Sequence, residues 1–89
     1  MEELYTCKFR ILHTIELPEK QMKECTVLTK IKHETTSEMM YEGELRVQFN
    51  EFGIFPVAKD IANAISQRSL RQKVAAELKR YVRPHKNFL

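Results

Sequence analysis

The chain has 89 residues with 43% hydrophobic and 30% charged, which excludes a disordered polymer and fits one domain around a single two-layer core. No apolar run approaches the ~20 residues that span a bilayer, and the acidic start Met1-Glu2-Glu3-Leu4 lacks the order of a signal peptide, so a cytoplasmic protein is expected. Charge is divided: residues 1–67 carry 8 Lys and Arg against 11 Asp and Glu, whereas residues 68–89 carry 7 against Glu77 alone.

Tyr5, Cys7, Phe9, Ile11, His13, Ile15 and Leu17 alternate with Thr6, Lys8, Arg10, Leu12, Thr14 and Glu16. A period of two is a strand with one buried face. Pro18 ends it, and residues 19–24 make a polar connection. Cys25, Val27, Thr29, Ile31 and His33 mark the inner side of a second strand, followed by a loop at 34–38. The third runs near 39–49, with Tyr41, Gly43, Leu45, Val47 and Phe49 inward. Gly43, in mid-strand, indicates a bulge or a close backbone contact.

Short loops and matched inner faces place Leu17 opposite Cys25 and Tyr41 opposite His33. On the outer face that register sets Lys8 beside Glu34, Lys32 beside Glu42 and Lys30 beside Glu44, leaving Arg10 and Arg46 without acidic partners. Cys7 then lies ~33 Å from Cys25, too far for an internal disulfide.

Residues 50–55 leave the sheet, and Pro56 suits a first helical turn. Val57, Ile61, Ala64 and Ile65 form one helical stripe, and Leu70, Val74, Leu78 and Tyr81 form another. On a straight helix the second lies roughly 200° around from the first. Either the helix breaks near Gln67-Arg68-Ser69, with Ser69 capping and Gln72 closing a capping box, or one long helix offers a stripe to a second subunit. We favour the break. Pro84 ends the helix near Val82 and Arg83. The expected fold is α+β: a three-stranded antiparallel meander with a C-terminal helix or broken helix pair on one face. It occupies residues 1–83, and residues 84–89 form a short tail.

On a helical wheel Arg68, Arg71, Gln72, Lys79 and Arg83 share the side opposite the second stripe, with Lys73 and Arg80 flanking and Lys86 extending the run. Arg and Lys supply most sequence-independent affinity for nucleic acid, so these seven cations form the candidate nucleic-acid surface. A solvated face that serves solubility is the plainer account. Phe52, Ile54, Phe55, Phe88 and Leu89 form a second candidate, an apolar interface for a protein partner or a second copy. Burial between the layers and a disordered end are the plainer accounts there.

Chemistry-bearing motifs are absent from the sequence. Cys7 and His33 become diagonal neighbours on the inner face, which reads as a buried pair rather than a nucleophile. Glu42 and Glu44 sit beside lysines, and neither a serine triad nor a phosphate-binding glycine signature occurs. We therefore expect no enzyme, metal, cofactor, membrane or small-molecule substrate. The expected function is a small regulatory or accessory binding protein contacting nucleic-acid phosphates through its basic helix; the alternative is a protein-interaction module.

Overall fold

The computed structural model describes residues 5–89. Alternation in the first half becomes three long strands, β1 (Tyr5–Leu17), β2 (Met22–His33) and β3 (Met39–Asn50). A fourth, β4 (Gly53–Pro56), completes an antiparallel sheet ordered β1-β2-β3-β4. Helices α1 (Ala58–Ala64) and α2 (Arg68–Val82) follow, and a 3-10 segment, Arg83–Phe88, comes after them. The fold is α+β, with one strand more than the sequence predicts.

The unforeseen strand has a local cause. Asn50 Oδ1 accepts from the amides of Phe52 (2.8 Å) and Gly53 (3.2 Å), a side-chain-closed turn that sends the chain back along β3. Gln48 then pairs with Phe55, and Val47 with Pro56. Pro56 thus ends an edge strand, where a missing donor is tolerated, rather than opening a helix.

Both hairpins are tighter than expected, and the predicted register fails. Pro18–Lys20 forms a 3-10 turn, and Gln21 closes it at φ 53°, so Leu17 faces Met22 instead of Cys25. Ser37, at φ 60°, closes the next turn, and Tyr41 faces Ile31 instead of His33. Lys8 consequently stands opposite Lys30, and Lys30 pairs with Glu42 at 3.9 Å on an exposed surface. Such a pair contributes about 0–1 kcal/mol. A bulge between Ile11 and His13 reverses the parity of β1, which leaves His13 and Ile15 exposed. Gly43 accommodates a side chain rather than backbone: a Cβ there would collide with the Tyr41 hydroxyl.

The core lies between the inner sheet face and the helices. Cys25, Val27, Ile31, Leu45, Val47 and Phe49 meet Ile61, Ile65, Leu70, Val74, Leu78 and Val82. Buried Thr29 donates its hydroxyl to the carbonyl of Val27 (3.3 Å). Both helical stripes face the same sheet because the helix breaks, with extended backbone at Ile65 and Gln67. Ser69 does not cap α2: Gln67 occupies that position, and its Oε1 accepts from the Tyr5 hydroxyl at 3.2 Å.

Arg46 is not unpaired. Its guanidinium donates twice to Asp60, at 2.8 Å each, and the same carboxylate accepts from the Arg46 amide. These bonds, chiefly those from the Arg46 side chain, hold the Asp60 carboxyl below its ordinary range. A depressed folded value gives stability that is full above the unfolded pKa of ~3.9 and lost as pH falls through the folded value. The Arg46 side chain is about half exposed, so about 1 kcal/mol is expected. Comparing urea midpoints at about pH 7 and 3 should show this loss, and Asp60→Asn should remove it.

Cys7 and Cys25 are free thiols, one half-buried and one buried. Cys7 pairs with Ile31 and Cys25 with Thr14, six positions apart along β2, or about 20 Å rather than ~33 Å. Burial pushes the Cys25 thiol up to about 11 and raises Cys7 as well. His33 packs edge-on against Tyr5 (5.5 Å), and its Nδ1 lies 2.9 Å from Thr35 Oγ1. A raised thiol pKa is the opposite of what a nucleophile needs.

Candidate functional site

The seven basic candidates separate into three groups. Arg71 and Lys73 serve the fold. Arg71 Nε donates to the Ile65 carbonyl and its Nη2 to that of Ala62 (3.4 Å), so the guanidinium satisfies acceptors left open where α1 ends. Lys73 Nζ donates to the Tyr5 carbonyl at 2.9 Å, tying α2 to the first residue of β1. Arg68 is exposed at the opposite end of α2 from the remaining four.

Those four, Lys79, Arg80, Arg83 and Lys86, line one wall of a groove of about 540 Å³. Its other wall comes from β4 and the turn before it: Phe52, Gly53, Ile54 and Phe55. Ala76 completes the lining, and among the described residues no acidic side chain contributes. Glu77 lies 3.5 Å from Arg80, but at three residues' spacing and with the arginine 80% exposed the pair holds its partner weakly. Cations in the last turn of α2 also oppose the negative end of the helix dipole, which accounts for part of their presence.

Why the groove forms is local. The Asn50 turn lifts β4 against α2, and Pro84 converts the helix into the 3-10 segment, which carries Lys86 back toward the sheet. The tail is docked rather than loose: Leu89 packs against the core and its main-chain oxygen accepts from Lys23 Nζ at 2.6 Å. Tyr81 stands between Phe9 (5.4 Å) and His85 (5.2 Å), fixing the start of that segment.

The apolar candidates divide too. Ile54 and Leu89 pack on the core, whereas Phe52, Phe55 and Phe88 are exposed. Sequence reasoning treats the cations and the phenylalanines as rival sites; the fold brings Phe52 and Phe55 opposite the cations. The only sequence signal for that meeting is the Asn50–Gly53 turn, which returns the phenylalanines along the sheet.

A second groove of about 590 Å³ adjoins the first and shares Phe52 and Lys86 with it. There Lys20 and Lys23 are offset by Glu16 and Glu51. On the outer sheet face Lys8, Arg10 and Lys32 have no acidic partner among the described residues, but no aromatic ring stands between them.

Among the described residues no three His, Cys, Asp or Glu side chains converge on a metal-sized site. No helix among them is long and apolar enough to cross a membrane. Compared with known proteins, the chain matches no family model, no curated protein and no solved structure.

Proposed function

We propose that this is a small, non-catalytic accessory binding protein of the cytoplasm whose basic C-terminal surface contacts nucleic-acid phosphates. The observation that carries the reading is the wall formed by Lys79, Arg80, Arg83 and Lys86, in a groove that no acidic side chain lines among the described residues. Four cations converging with Glu77 as one weakly held counter-charge concentrate positive potential, which raises the local density of a polyanion and steers its approach. Contacts of this kind confer affinity and salt sensitivity, not sequence choice. Arg68 adds to the field at a distance, while Arg71 and Lys73 hold the helix in place.

The test is binding of labelled random duplex and single-stranded oligonucleotides at about 50 and 200 mM salt. Four phosphate contacts predict an affinity that falls by about a hundredfold over that range. Absence of binding at the lower concentration would contradict the reading.

A protein-interaction role has one observation in its favour. The 13-residue strand β1 is an edge of the sheet, and exposed edges pair with other chains. Its bulge and its outward Lys8 and Arg10 are features that protect edges against such pairing. A mass in solution that doubles with concentration would favour this second role.

A further inference from the structure

We infer that the groove between α2 and β4 takes a single strand of nucleic acid, with bases stacking on Phe52 and Phe55 while Lys79, Arg80, Arg83 and Lys86 hold the phosphates. The inference rests on the phosphate-binding reading above and adds the form of the ligand. Phe52 is 85% exposed at the tip of the turn and Phe55 is 47% exposed, both lining a groove whose facing wall is cationic. An aromatic ring so exposed gains nothing from the core. Opposite four cations it supplies the missing half of a single-strand site, since such sites combine a positive track with rings on which unpaired bases stack. A duplex hides the faces of its bases and would leave the aromatic wall unused.

Phe55 is held for this purpose. Its ring lies across Gly53, where a Cβ would sit 2.8 Å from the ring, so the glycine admits the ring close to the backbone. Ala76, a small side chain, leaves the helix side of the groove open. The cationic track does not continue cleanly beyond Phe52, because Glu16 and Glu51 enter the adjoining groove and Lys23 is engaged by Leu89. The site therefore spans few nucleotides. The cations of the outer sheet face lack interleaved rings and make no comparable site.

The test compares four labelled anions of matched charge: a thymidine homopolymer of about twelve nucleotides, the same backbone with abasic sugars, a duplex, and polyglutamate. The thymidine strand should bind at least about tenfold tighter than the other three. Phe52→Leu, which keeps apolar bulk without a stacking face, should reduce that preference without changing the abasic affinity. Phe52→Leu combined with Phe55→Leu should abolish it. Equal affinity for thymidine and abasic strands, or tighter binding of the duplex, would overturn stacking while leaving phosphate binding intact. Polyglutamate binding as tightly as thymidine would overturn it in favour of an acidic peptide. No binding by any nucleic-acid backbone would remove the phosphate reading as well.

Discussion

Replacing Lys79 and Arg83 together by glutamate should lower oligonucleotide affinity by at least about a hundredfold at about 50 mM salt. Each phosphate of a single strand neutralised by a cation adds about 0.7 to the slope of log affinity against log salt, so losing two should flatten it by about 1.4. Both residues are exposed at the end of α2 and neither makes an ion pair among the described residues. Their helix-dipole contribution is about 0.3–1 kcal/mol each, so a folded protein with a slightly lowered midpoint is expected. Reversing Lys8 and Arg10 changes net charge equally on the opposite sheet face and serves as the control. A matching loss from that control would mean that overall charge, not the groove, drives binding.

Leu78→Ala should destabilise the fold by about 2–5 kcal/mol, the cost of a buried leucine cavity. Leu78 is fully buried between α2 and the sheet, in the same cluster as Val27, Ile31 and Leu45. A domain of this length is held by roughly 4–13 kcal/mol in total, so the variant should lose a large fraction of its stability and unfold at a much lower urea concentration. Urea unfolding measures the loss directly. Phe52→Ala, at an exposed position, should stay within about 0.5 kcal/mol of the parent. A cost below about 1 kcal/mol for Leu78→Ala would place α2 away from the sheet.

Periodicity makes the three long strands, both helical stripes and the break between them legible, because each leaves a regular imprint on the chain. Ile61 and Ile65 lie roughly opposite Leu70, Val74 and Leu78 on a straight wheel, and only a break lets all of them reach one sheet. Strand β4 leaves no such imprint: Gly-Ile-Phe-Pro is too short to alternate and ends in a residue that reads as a helix start. Register was illegible for a different reason. Gln21 and Ser37 adopt left-handed backbone without being glycine, so the tight turns carry no obvious marker.

The basic surface was legible only as a stripe. A wheel places Arg71 and Lys73 with the other cations, but their hydrogen bonds to Ile65, Ala62 and Tyr5 depend on where the helix lands. Arg46 likewise finds Asp60 only once α1 folds back over β3. The groove itself arises from two distant segments, residues 52–55 and 76–86, that local patterns cannot join.

Whether the groove between α2 and β4 binds a single strand is tested by an amide shift map of the isotopically labelled protein, titrated with a short single-stranded oligonucleotide. Binding in the groove should concentrate the perturbations at Phe52, Gly53 and Phe55 and at Lys79, Arg80, Arg83 and Lys86. Perturbations centred on Lys8, Arg10, Lys30 and Lys32, with the groove unchanged, would contradict it.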